Sequence, residues 1–176
     1  MVRFSLFAAL MAVGCASAAP ADSKATTAES AGQEAAQQYR DALAPAEPSL
    51  IARASENDFA TTLDKLQTAV DSRGFKTFAV IDHAKGAASI GKELRPTTLV
   101  IFGNPQGGSL LMQSAQTMGI ALPLKALVYE EADGTVKVAT TDIVRTLRDH
   151  GVTDRDAVRD KVAGALGAIA VEATTK

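Results

Sequence analysis

The hexapeptide Thr97–Phe102, TTLVIF, constrains the fold of this chain more than any other segment. It is almost entirely apolar or β-branched, which is typical of a strand that is buried on both faces. Pro96 precedes it, and a Gly-Asn-Pro sequence at residues 103–105 follows it. Proline and glycine interrupt the pairing of a central strand, so they delimit this one on both sides. We therefore expect Thr97–Phe102 to lie in the middle of a sheet.

A glycine-rich turn and a helix are predicted to follow. Gly107 and Gly108 allow an unusual backbone path, and Ser109 is expected to cap a helix that runs through position 118 to Gly119. The spacing of Gly103 and Gly108 resembles a phosphate-binding loop, but Ser109 stands where the lysine of that loop would be. A nucleotide site is therefore disfavoured. Two alternatives stay open: a tight turn between packed elements, or N–H groups that hold a carboxylate, sulfate or phosphate group.

The other segments predict a single α+β domain at residues 49–174. Four more strands are expected at Ser49–Ala54, Phe75–Ile81, Leu124–Glu130 and Thr135–Thr140. Helices are expected at 55–74 and 142–150 and from Thr153 onward, and Asp133-Gly134 is typical of a hairpin turn. The order β-α-β-β-α-β-β-α-α favours a mostly antiparallel sheet with helices on one face. The other face must then be solvated or meet a partner.

Several sequence strings together resemble a known family. These are RPTTLVIFGNP, LLMQ and LPLKALVYEE in the central segment, with IDHAKGA and IGKEL upstream. They resemble the signature of the domain of unknown function 302 family, over about Leu50 to Gly151. The resemblance implies a small α+β domain that is often dimeric and often bacterial. It implies no established activity.

The amino-terminal residues predict export. Residues 1–18 have a short positive start, an apolar core and small residues, which is typical of a signal peptide. Two processing routes are open: cleavage after Ala16-Ser17-Ala18, or lipidation of Cys15 in a lipoprotein-like Ala-Val-Gly-Cys sequence. Residues 19–48 are rich in Ala, Thr, Ser, Glu and Gln and predict a low-complexity tether. We therefore expect a bacterial periplasmic or outer-membrane-anchored protein.

Composition excludes several classes of partner. The net charge is −2, Trp is absent and aromatic residues make up 5% of the chain, so neither a basic face nor a stacking surface for nucleic acid is expected. Cys15 is the only cysteine, and the two histidines show no metal-ligand spacing, so we predict neither a metal nor another cofactor.

Three residues are candidates for a binding site. His83 follows a strand end, Asn104 follows the central strand, and Lys125 is a cation in an otherwise apolar strand. We expect them to bind a small acidic ligand together. The predicted function is an envelope protein that binds a small ligand or a protein as a homodimer. One alternative is a hydrolase or isomerase in which His83 is the general base and the glycine-rich turn stabilises an oxyanion. Another is a structural or assembly protein that uses its exposed sheet face.

Overall fold

The computed structural model describes residues 31–35, 37 and 50–176. The predictions for residues 1–18, including Cys15, and for most of the tether fall outside these residues. The chain divides into two units, Met1–Ala46 and Glu47–Lys176. In the first unit, residues 31–35 and 37 are helical and exposed. Among all the residues described, no helix combines the length and the apolar character needed to cross a membrane.

The second unit is an α+β domain with one five-stranded sheet. Its strands are β1 (Leu50–Ala54), β2 (Lys76–Asp82), β3 (Thr97–Gly103), β4 (Leu124–Glu130) and β5 (Val136–Thr141). Its helices are α1 (Phe59–Ser72), α2 (His83–Ala88), α3 (Pro105–Ser114), α4 (Met118–Ala121), α5 (Ile143–Asp149) and α6 (Asp156–Thr174). The predicted order is confirmed, with the short helices α2 and α4 added to it.

All neighbouring strands pair antiparallel, in the spatial order β1-β5-β4-β3-β2. The hairpin between β4 and β5 turns at Gly134, whose φ of 83° suits a residue without a Cβ. The segment Thr97–Phe102 lies in β3, between β4 and β2, so its predicted position inside the sheet is confirmed.

One face of the sheet carries the core. Successive side chains of a strand point to opposite faces, so Val100 and Phe102 share a face with Ala126 and Val128 of β4. All four are fully buried, and helices α1 and α6 pack together over this face. The ring of Phe102 meets the edge of Phe75 at a centroid distance of 5.6 Å.

The opposite face of the sheet is only partly covered. We call it the open face and define it by Leu99, Ile101, Leu127 and Tyr129 of β3 and β4, each of which is half-buried. The prediction that Thr97–Phe102 is buried on both faces is therefore wrong. The sequence pattern could not show that this face is uncovered. Leu99 and Ile101 are apolar residues, and such residues occur both on faces that a helix covers and on faces that no helix covers.

Three helices, α1, α3 and α6, begin elsewhere than predicted. Helix α6 begins at Asp156, after Arg155, and not at Thr153. Asn104, not Ser109, caps α3, because Pro105 fits the first helical position and the Asn104 side chain accepts the next N–H. The helix also ends at Ser114, since Ala115 is extended with φ −144°. Asp58 caps α1, whereas the hydroxyl of Ser55 lies 2.7 Å from that of Thr62.

Candidate functional site

A cleft of about 900 Å³ lies between the start of α3 and the first half of α6. The start of β2, the end of β3 and the residues that lead into β4 complete its wall. Most of the lining side chains are apolar, among them Phe75, Phe78, Leu111, Met112, Leu122, Val158 and Val162. Clefts of about 300–1,000 Å³ with apolar walls are the usual sites for small molecules.

A second groove, of about 470 Å³, lies along α1 and the carboxyl-terminal residues. Its lining is polar, with Asp64, Lys65 and Glu172 among the residues. The Lys65 Nζ already donates to the carbonyl oxygen of Thr175 at 2.6 Å. The larger cleft, which is apolar, is therefore the better candidate for a binding site.

Asn104 places the first turn of α3 at the cleft. Its Oδ1 accepts the N–H of Gln106 at 2.9 Å, and its Nδ2 donates to the carbonyl oxygen of Gly74 at 3.4 Å. Gly107 and Gly108 also line the cleft, and a Cβ built on Gly107 would meet no atom within 4 Å. The backbone of this first turn is therefore accessible from the cleft.

Phe78 and Gly103 form one wall. A Cβ on Gly103 would lie 3.1 Å from Cε2 of Phe78 and 3.6 Å from Cβ of Pro123. The pairing of β2 with β3 shifts register between Thr77 and Ala79, and such irregularities redirect side chains. The absence of a side chain at Gly103 lets the Phe78 ring lie against the end of β3.

Two contacts join α3 to the start of α6. The hydroxyl of Ser114 donates to Oδ1 of Asp154, and Nε of Arg155 donates to the carbonyl oxygen of Leu110 at 3.3 Å. The Ser114 hydroxyl and the charge of Arg155 hold the pKa of Asp154 below its ordinary value. The two helices are thus joined on one side of the cleft by polar contacts.

The charges around the cleft are unequal. Arg73 and Lys161 are in the lining, whereas none of the described lining residues is an Asp or Glu. Arg73 is already paired, with its Nη1 at 2.7 Å from Oε2 of Glu172. The side chain of Lys161 is exposed and makes no ion pair or hydrogen bond with any residue in the described part of the chain.

The structure separates His83 from Asn104. Lys76 at the start of β2 pairs with Gly103, whereas Asp82 at its end pairs with Thr98. His83 follows Asp82, so it lies about 20 Å from the Asn104 end at 3.3 Å of rise per residue. His83 is exposed, and its side chain makes no hydrogen bond within the described residues. The predicted combination of a His83 base with the N–H groups of the glycine-rich turn is therefore not assembled.

Lys125 lies near Asn104 but not in the cleft. It neighbours Leu124, which lines the cleft, so it points to the opposite face of the sheet. Its Nζ donates to the carbonyl oxygens of Ala121 and Pro123, at 3.1 and 3.0 Å. Of the three predicted site residues, Asn104 alone lines the cleft, and the binding roles of His83 and Lys125 remain predictions.

The sequence analysis did not identify Arg73, Phe78 and Lys161, which line the cleft. The apolar positions 158, 162, 166 and 169 of α6 were recognisable, and they identify the face of that helix that packs inward. Lys161 is three residues after Val158, so it lies beside that face. This signal was present in the sequence, but it does not show that α3 packs opposite. Within the described residues, no group of three or more His, Cys, Asp or Glu side chains is placed to hold a metal ion.

Comparison with known proteins gives both a family and a fold. Residues 51–169 match the family model for the domain of unknown function DUF302. A crystal structure of an uncharacterized conserved DUF302 protein from Bacillus stearothermophilus has a TM-score of 0.61 and covers 71% of this chain and 98% of its own. The two sequences are 18% identical, so this likeness supports the fold alone.

The curated relatives are larger proteins. Two that are named fluoride-specific ion channel FluC 1, from Brucella suis biovar 1 (strain 1330) and Brucella abortus biovar 1 (strain 9-941), are each 35% identical to this chain over 117 residues. The match covers 65% of this chain but 46% and 43% of the relatives, respectively. This chain therefore spans less than half the length of the curated relatives it matches.

Proposed function

The chain belongs to the DUF302 family, and we propose that it is an exported ligand-binding domain that holds a small, mostly apolar molecule in the cleft between α3 and α6. The family description states no reaction. The proposed function therefore depends on the cleft itself. The size of the cleft, about 900 Å³, and its apolar walls support the binding of an organic molecule rather than of a bare ion.

The residue types of the lining carry this proposal. The lining contains no His, Cys, Asp, Glu, Ser or Tyr among the residues that the structure describes. General acid–base and nucleophilic catalysis use these side chains most often. A cleft with apolar walls, two amides and two cations is better suited to hold a molecule than to transform it. The alternative of an enzyme that uses His83 has no comparable support, since His83 lies at the other end of β2.

A cavity-filling substitution tests the proposal. Ala165 lines the cleft, so Ala165→Phe should abolish binding of the neutral, polarity-sensitive dye N-phenylnaphthylamine to the full chain. Dye fluorescence measures binding, and circular dichroism verifies that the variant is folded. Ala88→Phe is the matched control, because Ala88 is exposed on α2 and does not line the cleft. Undiminished dye binding by a folded Ala165→Phe variant would refute the cleft as the site.

The names of the Brucella relatives call for one further control. Sodium fluoride is added as a competitor to the wild-type chain with bound dye. Fluoride has no apolar surface to place against the cleft walls, so we expect it to leave the dye signal unchanged. Displacement of the dye by fluoride, but not by an equal concentration of chloride, would count against an apolar ligand.

We also propose that the domain is exported and that it forms a homodimer through the open face. The signal-like residues 1–18 support export, with Cys15 as the candidate for lipidation. Half-buried Leu99, Ile101, Leu127 and Tyr129 support an interface, because a cluster of apolar side chains on a sheet face marks an interaction site, and Lys125 and Lys137 lie beside them on the same face. A two-fold dimer would bring this surface against a second copy of itself.

A further inference from the structure

We infer that the ligand of the cleft is an amphipathic acid, whose apolar body lies against the cleft walls and whose anionic group is held by Lys161. This inference rests on the proposed function, since it assigns the chemistry of the ligand to the same cleft. Three features of the cleft support it: its charges share one sign, one of its two cations has no acidic partner among the described residues, and its lining combines an exposed cation with buried apolar side chains.

The charges in the lining are all of one sign. Arg73 and Lys161 are its charged residues, and the described lining has no carboxylate to balance them. The chain as a whole carries a net charge of −2, so this cationic cleft is not a consequence of a basic protein. A cleft whose charged groups share one sign attracts ligands of the opposite sign.

Arg73 and Lys161 differ in whether an acidic side chain pairs with them. Glu172 already compensates Arg73, whose Nη1 also donates to the carbonyl oxygen of Ala69 at 3.0 Å. Lys161 has no such partner in the described residues. Its neighbours three and four positions away on α6 are small or apolar, namely Ala157, Val158, Gly164 and Ala165. Lys161 is therefore the cation of the cleft that is available to bind an anionic group.

The adjacent acidic residue does not compensate Lys161. Asp160 pairs with Arg159, whose Nε lies 2.9 Å from its Oδ1, and Asp156 pairs with Arg159 as well. The acidic residues of this part of α6 are thus committed to Arg159. Because both carboxylates pair with Arg159, neither of them neutralises the charge of Lys161.

The lining also separates polar from apolar contacts. Lys161 is exposed to solvent, whereas Leu111, Leu124 and Phe75 of the same lining are buried or half-buried. A fully polar anion would leave these apolar walls in contact with water, and a neutral hydrocarbon would leave Lys161 without a partner. A molecule with an apolar body and one anionic end satisfies both.

The test compares two probes that differ in the charge of one group. Decanoate and decanamide have the same alkyl chain, and each is titrated against the full chain with N-phenylnaphthylamine bound. Decanoate should displace the dye at about tenfold lower concentration than decanamide, because a charge-assisted hydrogen bond contributes roughly a factor of ten to affinity. The preference should weaken as salt is added, since an exposed ion pair is screened.

Two variants assign the preference to Lys161. Lys161→Glu should abolish or reverse the preference for decanoate over decanamide. Lys92→Glu is the matched control, because Lys92 is exposed and remote from the lining yet gives the same change in net charge. Equal displacement by the two probes in the wild type, or a preference that persists in Lys161→Glu, would overturn the inference while leaving the apolar cleft intact. Failure of the dye itself to bind would instead reject the proposed function.

Discussion

Short side chains that accept hydrogen bonds decide where several helices of this domain begin. Asp58, Asp82 and Asp142 each accept the N–H of the residue three positions later, and Asn104 accepts that of Gln106. The first N–H groups of a helix have no partner within the helix, so such a cap satisfies one of them. The hydrogen bond from the Thr61 N–H lowers the pKa of Asp58, because it stabilises the charged carboxylate.

Asp58→Asn should reduce the loss of stability in acid. A lowered folded-state pKa stabilises the protein above the unfolded-state pKa of about 3.9, and this stabilisation is lost as the pH falls through the lower folded-state value. Asparagine caps a helix without titrating. The variant should therefore match the wild type near neutral pH and lose less stability in acid, as measured by urea midpoints across pH.

The control for this prediction lies on the same helix. Asp64 is exposed in α1, and its side chain makes no hydrogen bond with a described residue. Asp64→Asn should retain the acid sensitivity of the wild type. If Asp58→Asn and the wild type lose stability in parallel, the charge of the cap does not contribute as we propose.

At the scale of elements, the packing of α3 beside α6 determines the position and size of the cleft. The Ser114–Asp154 and Arg155–Leu110 hydrogen bonds join the helices, while the first turn of α3 and residues 157–165 border the open space. Leu111 is buried in the core and anchors the middle of α3. The cleft therefore depends on a few contacts between segments that are distant in sequence.

Ser114→Ala should loosen α3 without unfolding the domain. It removes the hydroxyl that donates to Asp154, so amide hydrogen exchange should become faster in Leu110–Ser114 and dye binding should weaken severalfold. Global unfolding should change little, because the hydrogen bond is solvent-exposed.

Ser109→Ala is the matched control on the same helix. Ser109 is exposed, and its side chain makes no hydrogen bond with a described residue, so its removal should leave exchange and dye binding unchanged. Equal exchange rates in Ser114→Ala and Ser109→Ala would show that the contact with Asp154 does not hold α3 in place.

At the scale of the whole domain, the sheet has two unequal faces. One carries the buried core beneath α1 and α6, and the other is the open face. Leu127 lies at the centre of the open face, paired with Leu99 of β3 and Ala139 of β5. This is the surface that we propose as the dimer interface.

Leu127→Lys should convert the dimer into a monomer. Two copies would place like charges opposite each other at the centre of the interface, whereas a single domain can direct a lysine into solvent. Native mass spectrometry of the protein isolated from cells measures the oligomer. The same spectrum distinguishes an amino terminus at lipidated Cys15 from cleavage after Ala18.

Ile120→Lys is the control for the dimer. Ile120 is 83% exposed on α4, outside the sheet, so the same substitution there should leave the dimer intact. A wild-type chain that stays monomeric at every concentration would contradict the proposed interface.

The predicted fold was accurate because its signals are local. The Thr97–Phe102 pattern, the Asp133-Gly134 turn and the apolar spacing of α6 each depend on residues close in sequence. The structure does not bring the predicted site residues His83 and Asn104 together, and the topology explains why. His83 follows β2 and Asn104 follows β3. These strands are antiparallel, so their carboxyl ends lie at opposite ends of the strand pair. The expected antiparallel sheet already implied this separation.

The amino-acid sequence by itself determined the family, the α+β class and the order of the elements, because hydrophobic periodicity and turn residues act over short distances. Only the tertiary structure decided which face of the sheet stays open and that Lys161 lies across a cleft from the glycine-rich turn. These features depend on packing between segments tens of residues apart. Packing at that distance follows from the fit of whole surfaces, which the spacing of residues within one segment does not specify.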